Sequence, residues 1–152
     1  MTPHLYVDAD ACPVKAEVYR VATRHALRVT LVAGSWMRVP DDPLVRLEVV
    51  SQGFDAADDW IVERVTAGDI VITADIPLAG RCLAKGAAAI GTQGRPFTED
   101  NIGDAMATRT LLADLRGAGE ITVGPSAFSP RDRSRFLQAL ERAVLASLRA
   151  RG

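Results

Sequence analysis

Residues 68–79 read GDIVITADIPLA, and this stretch decides the fold. Asp69 to Thr73 is β-branched and apolar at its centre, which predicts a short strand buried on both faces. Asp75 follows it. Pro77 then suits the first turn of a helix, where its missing N–H costs nothing, and that helix should end near Gly86. A doubly buried strand running through one acid into a helix is the unit of a parallel sheet.

The same unit stands at the start of the chain. Leu5 to Val7 is β-rich and stops at Asp8-Ala9-Asp10, and Pro13 opens the next helix. Val14, Val18, Val21 and Ala22 fall on one face of that helix. Leu27 to Ala33 and Val45 to Val50 read as the second and third strands, and Ala87 to Ile90 as a fifth. Between them, Asp55 is the expected N-cap of a helix striped by Ala57, Ile61 and Val65, with Asp58 in the capping-box position. Residues 100–116 look helical, and Ile121 to Val123 allow a short strand. A last helix starts near Ser129-Pro130 with Phe136, Leu137, Leu140, Val144 and Leu148 as its apolar stripe. Alternating strands and helices predict a three-layer α/β/α fold around a mainly parallel sheet. The length of 152 residues fits one domain.

Composition narrows the class. The chain is 48% apolar with a net charge of −1. Cys12 and Cys82 have no zinc-type spacing, the acids at Asp8 and Asp10 argue against a leader peptide, and no apolar run suits a membrane helix. A reduced, cytoplasmic protein is expected. Sixteen of the 18 basic residues are arginine, and residues 131–152 hold six of them against Asp132 and Glu141. Such a helix is either a solvated face or a phosphate-facing surface.

In open parallel sheets, ligands bind beyond the carboxyl ends of the strands. Asp8 and Asp10 lie on one side of the first strand, and Asp75 follows the fourth, so the three can converge. On the intervening helix Asp58 lies roughly 60° from the centre of the apolar stripe and Asp59 roughly 160° from it, so Asp58 should point inward and Asp59 to solvent. Carboxylates gathered in one cleft repel one another unless a cation is present. Mg²⁺ or Mn²⁺ fits such oxygen ligands, and sites of this kind activate water for phosphodiester hydrolysis. Each acid also has a purely structural role open to it: Asp8 and Asp10 as strand end and cap, Asp58 in a capping box, Asp75 as an N-cap.

Other candidates are weaker. Cys12 lies near a helix N-terminus, but neither His4 nor His25 is placed to serve it as a base. Thr73 suits core packing or a contact to a metal-bound water or phosphate. Gly91 to Arg95 (GTQGR) lacks the Lys-Ser/Thr of a P-loop. Arg95, Arg131 and Arg133 are candidate phosphate contacts.

The motifs VDADACP (7–13), LVA (31–33), RVP (38–40), GFDAAD (53–58), GDIVITADIPLA (68–79), KGA (85–87), Gly124-Pro125 and RDR (131–133) resemble the bacterial YaiI/YqxD family, in order from Leu5 to about Arg142. That family is similar to the PIN and NYN group of nuclease-like domains. The resemblance implies a PIN-like fold and acids binding Mg²⁺ or Mn²⁺ after the first and fourth strands and on an intervening helix. It places them at Asp8, Asp75 and Asp58, while Asp10 belongs to the family's own motif. The PIN group often carries a further acid after the Asp75 position. Ile76 to Cys82 supply none, so the resemblance does not extend to a full two-metal site.

The expected function is metal-dependent cleavage of RNA, with Asp8, Asp10, Asp58 and Asp75 holding the cation. A nucleic-acid or nucleotide binding module without turnover is the first alternative, favoured by the missing acid. The second is a phosphatase resembling the haloacid dehalogenase-like enzymes. There Asp8 would be the nucleophile and Asp10 the general acid of a D-x-D motif. The Thr or Val usual two residues after the second Asp is replaced by Cys12.

Overall fold

The computed structural model describes residues 2–10, 12–51, 55–103 and 128–151. The elements are β1 (Leu5–Asp8), α1 (Lys15–His25), β2 (Val29–Ala33), β3 (Val45–Val49), α2 (Ala56–Arg64), β4 (Ile70–Ile72), α3 (Ile76–Ala84) and β5 (Ala88–Ile90). A helix begins at residue 99 and is described as far as 103 (α4). The last element is α5 (Pro130–Arg151). Most of the helix expected over 100–116, and the strand expected at 121–123, lie outside the described residues.

Among the described residues the sheet has five strands, all parallel, in the order β3-β2-β1-β4-β5. Alternation along each strand divides the core. Leu5 and Val7, with Leu31, Ile70 and Ile72, pack against Val18 and Val21 of α1 and Phe136, Leu140 and Val144 of α5. Tyr6, Val32 and Val71 face the other way, toward Ile61 of α2 and Leu78 and Cys82 of α3. Helices therefore cover both faces, as a doubly buried parallel sheet requires. Each large side chain fully buried here contributes roughly 1.5–3 kcal/mol. Edge strand β3 is the least buried: Val45 and Leu47 pack on the first cluster, and Arg46 is exposed.

Polar contacts fix α5 along its length. His25 Nε2 meets Glu141 Oε1 at 2.8 Å, and the Ser147 hydroxyl donates to Gly68 O at 2.7 Å. At its start Ser129 and Asp132 form a reciprocal capping box: Ser129 N–H donates to Asp132 Oδ2 (3.0 Å) and Asp132 N–H to Ser129 Oγ (3.2 Å). Thr98 and Asn101 do the same at the start of α4. The box expected at Asp55 and Asp58 does not form. Asp55 occupies the N-cap with φ 62°, and its side chain makes no cap hydrogen bond. No helix among the described residues is long and apolar enough to cross a membrane.

Candidate functional site

The chain runs from β1 out to β2 and β3, then crosses back to β4 on the other side of β1. The switch in direction lies between β1 and β4, where parallel sheets open a crevice at their carboxyl edge. Asp8 ends β1, two residues beyond Tyr6, and so faces the α2/α3 layer. Thr73 stands two beyond Val71 on the same side. Its hydroxyl donates to Asp8 Oδ2 at 2.9 Å and accepts from the Asp75 N–H at 2.9 Å. One buried hydroxyl, 1% exposed, thus couples the two acids that follow neighbouring strands. Thr73 orients Asp8 instead of facing solvent. The only sequence signal for this was a threonine at the end of the strand, two residues before the acid.

Asp75 is also the N-cap of α3: its Oδ1 accepts from Leu78 N–H at 3.0 Å. Asp10 Oδ2 accepts from Gly34 N–H at 3.0 Å, which ties the loop after β1 to the end of β2. Asp58 is half-buried on α2. Its neighbour Asp59 is more exposed and pairs with Arg81 at 2.9 Å.

The carboxylates feel one another. Burial pushes the Asp8 carboxyl above the usual carboxylate range, the Thr73 hydroxyl pulls it back, and the charges of Asp75 and Asp10 add to the push. Burial, then the charges of Asp75, Asp8 and Asp55, raise Asp58 to about 6, against the pull of Arg81. Asp8, Asp58 and Asp75 therefore share one field of mutual repulsion, which a cation would relieve. Among the described residues no three His, Cys, Asp or Glu side chains are arranged as a ready metal cage. The donor set is nevertheless all carboxylate oxygen, which suits a hard cation held through few protein ligands with water completing its shell.

The raised Asp58 carboxyl has a stability consequence. Between about pH 4 and pH 6 the folded chain keeps a proton that the unfolded chain has lost, so stability falls as pH rises through that window. Above it the cost is full. In EDTA, Asp58→Asn is expected to stabilise the chain by about 1 kcal/mol near neutral pH, after allowance for solvent screening, and by little at pH 4. Thermal melts of both proteins at the two pH values check this; an equal difference at both would remove the electrostatic account.

The remaining candidates are placed as follows. Arg95 is exposed in the loop after β5, and Arg131 is exposed in the first turn of α5. Arg133 donates to Pro13 O (2.8 Å) and to Glu17 Oε1 (3.1 Å), and its guanidinium lies over Phe128, so it joins α5 to α1. These contacts set the start of α5 beside the loop that follows β1. Cys12 is buried, and burial pushes its thiol up, away from the reactive thiolate. His4 bonds Thr30 and His25 bonds Glu141, so neither serves Cys12.

A family model described as "Uncharacterized BCR, YaiI/YqxD family" matches residues 6–146. The chain belongs to the YaiI/YqxD family. YaiI/YqxD relatives named UPF0178 protein include one from Rhodopseudomonas palustris (strain TIE-1), 64% identical over 140 residues that cover 92% of this chain and 89% of the relative. One from Nitrobacter winogradskyi is 59% identical over 92% of this chain and 89% of its own length. One from Bradyrhizobium diazoefficiens is 57% identical over 92% and 84%. The span matched by the YaiI/YqxD family model takes in all four acids and Arg95, Arg131 and Arg133.

Proposed function

We propose that this chain is a divalent-metal-dependent phosphodiesterase acting on RNA, a PIN-like member of the nuclease-like α/β domains. The observation that carries the reading is the coupling of Asp8 to Asp75 through Thr73 at the switch point, with Asp58 in the same repulsive field. Asp8 and Asp75 would hold Mg²⁺ or Mn²⁺, with Asp58 and Asp10 bound directly or through water. The bound cation supplies activation of water and neutralisation of phosphate charge. Thr73 holds Asp8 in place, and the Leu78 N–H fixes Asp75. Arg131, at the start of α5, supplies positive charge toward a phosphate backbone. The unpaired Cys12 and Cys82 suit a reducing cytoplasm.

The test is a fluorescent oligoribonucleotide incubated with the full chain in Mn²⁺ and in EDTA. Cleavage in Mn²⁺ that disappears in EDTA and in Asp75→Asn is expected. Intact RNA under both conditions rejects the enzyme, and metal-dependent binding without cleavage points to a binding module instead.

A further inference from the structure

A second cavity adjoins the acidic cleft. The cleft is lined by Asp8, Ala74, Asp75 and Ile76. The neighbouring cavity shares Ala74 and Ile76 as a wall and extends to the loop after β5. It encloses about 340 Å³, the low end of the range for small-ligand sites and enough for one nucleotide-sized group.

Its lining has three chemistries. Ile76 and Phe97 supply an apolar wall with one aromatic ring. Thr92 and Gln93 each carry a donor and an acceptor. Arg95, an exposed residue that also lines the cavity, carries a guanidinium. The loop that carries them is fixed. Gly91 N–H donates to Arg95 O (2.9 Å), Phe97 N–H donates to Ala89 O (2.9 Å), and Ile90 pairs antiparallel with Pro96. Asn101 also lines the cavity, but its amide is committed to this loop: Oδ1 accepts from Thr98 N–H and Nδ2 donates to Pro96 O, both at 2.8 Å. A wall built in this way binds without first paying to order a loop.

We infer that this cavity receives one nucleoside unit of the substrate, with its base against Phe97 and Arg95 on a flanking phosphate. An aromatic ring with adaptable hydrogen-bonding side chains is how proteins take an unstacked base. Planar guanidinium suits phosphate. The inference rests on reading the acidic edge as a phosphodiester site, and it commits that site to single-stranded substrate, since a base must leave its stack to enter.

The test reads binding without turnover. Adenosine and uridine 5′-monophosphates are titrated into the full chain in Mg²⁺ by calorimetry, with inorganic phosphate as control. At least one mononucleotide should bind, and Arg95→Ala and Phe97→Leu should each weaken it roughly tenfold or more. Gln93→Ala, at an exposed position, gives a third variant whose folding is secure. Phosphate alone should be indifferent to Phe97→Leu. Absence of mononucleotide binding at millimolar concentration overturns the inference, as do affinities unchanged in all three variants or a phosphate affinity lost with Phe97. If mononucleotides bind with these losses while RNA stays intact, the cavity stands and the hydrolase reading falls. RNA cleavage with KM unchanged in the variants keeps the hydrolase and removes the cavity.

Discussion

Gly94→Ala is expected to destabilise the chain by roughly 2–5 kcal/mol, combining left-handed backbone strain with overpacking. Gly94 has φ +86°, and a Cβ there would stand 2.5 Å from Arg135 C and 2.6 Å from Phe136 N. Those atoms belong to the backbone of α5 and cannot swing aside as a side chain would. The helix must move, and Phe136, fully buried against the sheet, must move with it. For a chain of this length the loss corresponds to a fall in Tm on the order of 10 °C. Thermal or urea unfolding measures it; a change within about 1 kcal/mol would mean the loop and helix do not meet this closely. The same contact sets the position of Arg95, so a folded Gly94→Ala chain should also bind mononucleotide less well.

Asp8→Asn separates function from stability. Cleavage of RNA should fall by about 10³-fold or more, since removing one ligand charge from a single-cation site costs several kcal/mol of transition-state stabilisation. The fold should not suffer. Burial and the charges of Asp75 and Asp10 already work against an ionised Asp8, and an amide oxygen can still accept from Thr73. In EDTA the variant should melt at or above the wild-type temperature. Added Mn²⁺ should raise the wild-type Tm and leave the variant's unchanged. Full activity in the variant would remove Asp8 from the reaction. An unfolded variant would make it a structural residue.

Much of the fold was legible because it rests on local pattern. Val14, Val18, Val21 and Ala22, and Phe136, Leu140 and Val144, are buried as their spacing requires. Helical phase anticipated that Asp58 is less exposed than Asp59, since the face of a helix follows from position alone. Contacts between distant segments were not legible. Arg133 read as a candidate phosphate contact, whereas the fold closes it onto Pro13 and Glu17. GTQGR looked like a failed phosphate loop, and Gly94 is there because α5 passes too close for any side chain. The capping box went to Ser129 and Asp132 and not to Asp55, whose left-handed backbone defeats it. Strand order, on which the meeting of Asp8 and Asp75 depends, leaves no periodic mark.

That strand order also has a consequence for how the chain is made. β1 is the central strand, with Leu5 paired to Val29 on one side and to Ile70 on the other. Its second neighbour leaves the ribosome only after the whole of α2 has followed. Until then β1 and β2 present an open, apolar edge to other chains. Among the described residues the pairings between β1, β2, β3, β4 and β5 are all parallel, so each of these ladders must close a long loop before it gains a bond. The protein should therefore refold slowly and be prone to aggregation at high concentration, with a nascent chain halted before Ile70 more so than the finished one.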